Sequence, residues 1–289
     1  MSQPKENYSA KLRAKSMVYF VICIILTLIC LVPIYILIIN ATRKHVDIIS
    51  SVSFIPGSNL AANVKKLLND PMFQFDPFIG FKNSAIIAVG STVLSVFFSA
   101  LTAYGLVVYD FKLRGPAYTF ILVAMMVPMQ VTSVGFLQFM IKLGLSDSFI
   151  PLIVPTIAAP AIVFFMRQYL KSSFPLDIVE AARIDGCGEF RTFLTIAIPM
   201  MKPAIAVQAI FAFIQNWNNF YQPSMILVSR KFEQLTMPMM INMLKSNDKI
   251  ADYGVIYAGI ALSIIPVVVI YLLLSRFIVE GVALGGVKE

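Results

Sequence analysis

The chain has 289 residues, of which 58% are apolar and 13% charged, with a mean hydropathy of +0.82. A soluble domain carries about 25% charged residues, so this composition is that of a polytopic membrane protein, and the formal charge of +8 is read loop by loop, not as a nucleic-acid footprint. Three cysteines without a C-x-x-C pair, a single histidine (His45) and no G-x-x-x-x-G-K-[ST] loop exclude a disulfide framework, a metal cluster, a His-dependent triad and a phosphate loop of the chain's own.

Residues 1–16 are polar and basic, with Lys5, Lys11, Arg13 and Lys15 against Glu6, and are expected to be a cytoplasmic tail. Residues 17–39 form 23 uncharged positions, longer than a signal core and with no small-residue cleavage site after them, so a retained first transmembrane helix is expected. Residues 40–82 read as a long extracytoplasmic connection, broken by Pro56, Gly57, Pro71 and Pro77, with a short helix at 60–68. Its five Lys and Arg sit awkwardly outside, Arg43 and Lys44 most of all because they adjoin a span end. Asn83 and Ser84 fit either a helix cap or a place in a pathway.

The second span is expected at 83–109, where Ser91, Ser95, Ser99, Ala103 and Gly105 set small residues at helical spacing for close packing. Asp110, Lys112 and Arg114 make a short inner turn. In the third span, 115–141, Pro128 removes a backbone donor close to Gln130, Thr132, Ser133 and Gln138; these polar groups either line a cavity or bond neighbouring helices. The fourth span, 148–166, holds Pro151, Pro155 and Pro160 and is expected to be irregular and buried in protein.

Residues 175–203, PLDIVEAARIDGCGEFRTFLTIAIPMMKP, are a charged island on the most basic loop, with Arg167, Lys171, Arg183, Arg191 and Lys202. A short helix is expected from Pro175 to Asp185: proline suits its first position, Asp177 the first turn, and Gly186 the left-handed residue that ends it. Ala181 and Ala182 would form a two-alanine face for close approach. The fifth span, 203–229, carries Gln208, Gln215, Asn216, Trp217, Asn218, Asn219, Tyr221 and Gln222, a costly density of amides for a lipid-facing helix. Two readings fit: a path in which Trp stacks on a sugar face and amides bond its hydroxyls, or an interfacial aromatic belt at a helix end. A second outer loop, 230–252, has Leu244, Lys245, Ser246, Asn247 and Asp248 at its tip; the sixth span is 253–275, with Arg276 at its inner end.

Glu180-Ala181-Ala182, three residues, Gly186, nine residues, Ile196, one residue, Ile198-Pro199 resembles the EAA loop of ABC-importer permeases, with Ile198 in place of that family's Leu. Glu-Ala-Ala-Arg-Ile-Asp-Gly is similar to the carbohydrate branch, specifically its maltose-type second permease subunit. Phe81-Lys82-Asn83-Ser84 resembles its F-x-N-S entry, and Asn-Trp-Asn-Asn-Phe its W-N-x-F signature. The resemblance implies an all-α, six-helix fold with a type I importer permease core at 83–280, and both termini on the cytoplasmic side of a bacterial inner membrane. It implies a coupling helix in which Glu180, Ala181, Ala182, Asp185, Gly186 and Arg191 meet an ATPase. Gln130, Gln208, Gln215, Asn216, Trp217, Asn218, Asn219 and Tyr221 would form the pathway, and Leu244 to Asp248 would meet the binding protein by position alone. The tail 281–289, GVALGGVKE, resembles the family's glycine-rich terminus that enters the ATPase dimer.

The implied partners are a second permease, two ATPase subunits and an extracytoplasmic solute-binding protein. The chain is then no enzyme and binds no cofactor, with ATP and Mg on the ATPase. Lys and Arg number 13 on the inner side and 10 on the outer, a small margin, so the EAA loop carries the orientation. A sugar or oligosaccharide is the leading cargo and glycerol 3-phosphate or a similar polyol the alternative. An autonomous secondary transporter is disfavoured, because all six spans lack Asp, Glu, Lys and Arg.

Overall fold

The structure, a computed structural model, describes residues 5–246 and 252–285, and every regular element among them is helical. Four helical stretches are long and apolar enough to cross a membrane: Lys15–Ala41, Pro71–Val108, Ile150–Ser173 and Tyr253–Ser275. Two bent pairs, Arg114–Met125 with Gln130–Lys142 at 97° and Glu189–Met200 with Lys202–Trp217 at 80°, make up to six when each pair is counted as one span. The chain forms two compact units, Met1–Gln74 with Leu244–Leu262 and Phe75–Met243 with Ser263–Glu289.

In the first unit, helix α1 (Lys5–Ala41) shows apolar side chains such as Met17, Phe20 and Leu28 all round its exposed surface, as a helix solvated by hydrocarbon does. The segment after it is tied by side chains. Arg43 is buried and donates to the carbonyl oxygens of Asp47 (2.7 Å) and Ser51 (2.9 Å). Asn63, on the short helix Leu60–Asn69, donates to the carbonyls of Ala41 (2.8 Å) and Arg43 (2.9 Å). A buried guanidinium persists only when its donors are satisfied, so Arg43 is a structural cation. That accounts for a basic residue beside a span end where the charge rule disfavours one. His45 Nδ1 accepts the Tyr253 backbone N–H at 3.0 Å, and the two rings stack at 5.2 Å.

The second unit is organised on α2 (Pro77–Val108). It starts at Pro77, before the expected Asn83, because Asp76 accepts from the N–H groups of Phe78 (2.8 Å) and Ile79 (3.3 Å) and proline takes the first position. Asn83 and Ser84 are therefore neither cap nor pathway. Asn83 is buried and donates to the carbonyls of Glu233 (2.8 Å) and Leu235 (2.9 Å), while Ser84 accepts from Met237 N–H (2.8 Å). The small-residue stripe packs as expected: Ser91, Ser95, Ser99 and Ala103 are buried. Ser91 Oγ donates to Leu152 O at 3.1 Å, a carbonyl inside the proline-interrupted stretch that precedes α5.

Helices α3 (Arg114–Met125) and α4 (Met129–Lys142) meet at the Pro128 break, and α5 (Pro160–Ser173) continues past the expected end of the fourth span. Arg167 and Lys171 thus lie on a helix and not on the loop; cations suit a helix C-terminus, and the Arg167 guanidinium lies 3.7 Å from the centre of the Tyr118 ring. The fifth span is α7 (Lys202–Trp217), entered through a π-helical turn at Phe193–Ala197, and it stops at Trp217 where the sequence suggested Ser229. A separate short helix, α8 (Tyr221–Ile226), follows. The last helix, α9 (Tyr253–Gly285), runs beyond residue 275 into the expected tail; residues 286–289 lie outside the described residues. Tyr104, Met166, Leu170, Val179, Phe193 and Met201 belong to one apolar cluster of the unit.

Candidate functional site

Two features of the second unit gather the polar residues. The first is a cavity of ≈ 930 Å³ walled by α2, α4, the proline-rich stretch 151–162, α7 and α8. Its polar lining includes Gln130, Gln215, Asn216, Asn218, Asn219 and Tyr221, six of the eight predicted pathway residues. The Pro128 break explains Gln130: the chain turns there, and the first turn of α4 delivers the amide to the cavity. The stop at Trp217 explains the others, since the irregular Asn218–Phe220 link turns polar groups toward the cavity. Asn219 donates to Gln222 Oε1 at 2.7 Å, and the Ser133 and Tyr221 hydroxyls are 2.8 Å apart. No charged side chain lines the cavity among the described residues.

Two predicted pathway residues are elsewhere. Trp217 is 2% exposed, stacked on Phe213 at 5.6 Å and Phe81 at 6.1 Å, with Nε1–H donated to Ser263 O at 3.0 Å. Gln208 is buried and does not reach the cavity. Trp217 lies about 200° around α7 from Gln215, which periodicity could have separated; Gln208, seven residues before Gln215, shares its face and differs in position along the helix. The sequence reading missed Ser95, Phe136 and Thr156 as lining residues. The small-residue stripe was the available signal for Ser95.

The second feature is the charged island. Helix α6 spans Asp177–Ile184, starting two residues after Pro175. Its end is as expected: Gly186 has φ +76°, its N–H bonds Arg183 O (3.0 Å), and Cys187 N–H bonds Ala182 O (2.8 Å), a Schellman termination. Ala181 is exposed and Ala182 buried, yet both border one concavity. Val179 is buried in the apolar cluster and Ala182 is buried beside the concavity, while Glu180, Ala181, Asp185, Gly186 and Arg191 are exposed. The concavity, of ≈ 550 Å³, is lined by Ala181, Asp185, Gly186, Arg191 and neighbours. Glu189 ties this corner together: it takes Arg183 Nε at 2.7 Å and the Tyr109 hydroxyl at 2.6 Å. Burial, followed by the bond to Glu189, pushes the Tyr109 hydroxyl up to about 12, so it stays protonated and donates.

Residues 95–283 match the family described as "Binding-protein-dependent transport system inner membrane component". The chain belongs to that family. It is 35% identical over 268 residues to the arabinooligosaccharides transport system permease protein AraQ of Bacillus subtilis (strain 168), covering 91% of this chain and 92% of that one. It is 33% identical to the lactose transport system permease protein LacG of Rhizobium radiobacter, covering 74% and 77%. It is 28% identical to the sn-glycerol-3-phosphate transport system permease protein UgpE of Pectobacterium atrosepticum, covering 90% and 93%. A solved bacterial ABC transporter involved in the import of the acidic polysaccharide alginate has the same fold, with a TM-score of 0.70 at 22% identity over 96% of this chain and 98% of that one.

The matched range holds both features in this binding-protein-dependent family member. Of the residues expected to meet a binding protein, Leu244 is buried, Lys245 and Ser246 end an exposed turn of the helix Met237–Ser246, and Asn247 and Asp248 lie outside the described residues.

Proposed function

We propose that this permease and a second, different permease together form the membrane path of an ATP-driven importer for a neutral oligosaccharide. An extracytoplasmic solute-binding protein delivers the cargo to them. The observation that carries the cargo class is the cavity: amides, hydroxyls and proline-freed backbone, with no charged group in the lining among the described residues. Such a surface can satisfy sugar hydroxyls, and the aromatic rings of Phe136 and Tyr221 offer faces for sugar C–H groups. A glycerol phosphate would want an Arg in the path, and none lines the cavity among the described residues, although the N-terminal turns of α4 and α5 do border it. Relatives named for arabinooligosaccharides and for lactose support the sugar reading. One named for sn-glycerol-3-phosphate keeps the alternative under test.

In this reading α6 is the coupling helix. Glu180, Ala181, Asp185, Gly186 and Arg191 face one of two ATPase subunits, which carry ATP and Mg and perform the hydrolysis. Ala182 borders the same concavity from its buried side. Both termini face the cytoplasm, and this chain catalyses nothing and holds no cofactor. The test is uptake of labelled arabinotriose by the reconstituted importer, with unlabelled lactose and glycerol 3-phosphate as competitors. Gln130→Leu and Asn218→Leu should leave the complex assembled and alter uptake or the order of competitors. Unchanged uptake and order in both variants would remove these residues from the path, and competition by glycerol 3-phosphate alone would replace the cargo.

A further inference from the structure

The contact at Glu189 joins three elements at the polar rim of the apolar cluster that holds Tyr104 of α2 and Val179 of α6. Arg183 lies in the last turn of α6, Glu189 opens the helix after the Schellman turn, and Tyr109 is the cap residue of α2. The guanidinium meets the carboxylate as a fork, Nε to Oε1 at 2.7 Å and Nη2 to Oε2 at 3.3 Å. The Tyr109 hydroxyl donates to the same Oε2 at 2.6 Å, and the guanidinium stands 5.7 Å from the Tyr109 ring. The pair is solvent-accessible, with 40% and 44% of the two side chains exposed, so it adds little to stability. What a forked, three-membered contact does supply is a fixed geometry.

We propose that Arg183, Glu189 and Tyr109 are positioning residues, a clamp that makes α6 and the inner end of α2 move as one body. The clamp rests on the docking reading of α6 given above and adds where its motion goes. From Tyr109 to Ser95, a cavity-lining residue, α2 covers about 21 Å of continuous helix, at 1.5 Å per residue. That helix has no proline after Pro77, so a displacement at Tyr109 reaches the cavity wall without a hinge. The contrast lies on the other side of the cavity, where α3 and α4 are broken at Pro128 and cannot transmit a push.

The test uses the full importer complex with Cys23, Cys30 and Cys187 replaced by Ser and spin labels placed at Ile184→Cys on α6 and Val93→Cys on α2, both exposed positions. The distance distribution is measured with and without ATP, Mg and vanadate, alongside ATP hydrolysis with and without the binding protein. In the wild-type clamp the distribution stays narrow in both states. Glu189→Gln and Tyr109→Phe should broaden it and lower binding-protein stimulation by at least about fivefold, the low end of coupling between two sites. Copurification of the ATPase should be unchanged. The exchange Arg183→Glu with Glu189→Arg should restore the narrow distribution, which a merely structural role would not do. Narrow distributions and full stimulation in the single variants overturn the clamp. Glu180→Lys tests the docking reading separately: retained ATPase association there rejects docking, while the distance measurement still decides the clamp.

Discussion

Replacing Trp217 by Ala separates packing from pathway. The indole is 2% exposed, between Phe213 and Phe81, and its N–H is donated to Ser263 O. In a membrane the transfer term for an apolar side chain largely vanishes, because the lipid is as apolar as the interior; the lost contacts and the cavity remain. Trp exceeds Ala by roughly 140 Å³, and at about 24 cal/mol per Å³ an unrelaxed hole costs ~3 kcal/mol. The lost hydrogen bond adds ~1 kcal/mol. Asn218, the next residue, is exposed to the cavity, and its truncation should stay within about 0.5 kcal/mol. The assay is the unfolding midpoint of the purified complex together with competition among neutral sugars for uptake. Trp217→Ala should lower the midpoint and leave the order of competitors unchanged. An unchanged midpoint with an altered order would refute the packing assignment and return the indole to the path.

Gly186→Ala meets nothing within 4 Å, so its cost is conformational, about 1–2 kcal/mol for φ +76°, and Gly186→Asn should cost less; both are read from unfolding midpoints. At Gly254 a Cβ would stand 2.5 Å from Arg43 O and 2.7 Å from Asn63 Nδ2, so Gly254→Ala should cost about 1–3 kcal/mol, while Gly105→Ala, with open space, should cost none. Asp147 accepts from the Ser229 hydroxyl and from its N–H at 2.8 Å, and these bonds, the hydroxyl first, hold its carboxyl below the usual 3.8. A lowered folded-state value means the contact is present above the ordinary value and lost as pH falls through the folded one. Hydrogen exchange at Ser229 N–H should therefore stay protected at the ordinary aspartate value and open only below it, and Asp147→Ala should open it at every pH.

The parts of the fold that follow from local rules were legible. Uncharged runs of span length located the membrane helices, and Gly186 marked a helix end because a left-handed residue without Cβ strain is needed there. Pro128 announced a break but not its size, since 97° is set by what packs on either side. Asp76-Pro77 was a capping signal overlooked in favour of Asn83-Ser84, whose polar groups serve a segment some 150 residues later. Long-range partners of that kind leave no local trace. The same holds for Arg43, whose charge finds its place only through its carbonyl partners, and for Gln208, which shares a helix face with the cavity-lining Gln215. Neighbours in a helix point about 100° apart, so Ala181 is exposed where Ala182 is buried, although both border the concavity beside α6.

The most direct measurement is uptake of labelled arabinotriose and lactose into proteoliposomes holding this chain, its second permease and the ATPase, with the binding protein outside. Uptake should require ATP in the lumen and should stop when the ATPase is omitted. Uptake of either sugar driven by an ion gradient, without ATP or ATPase, would contradict the account.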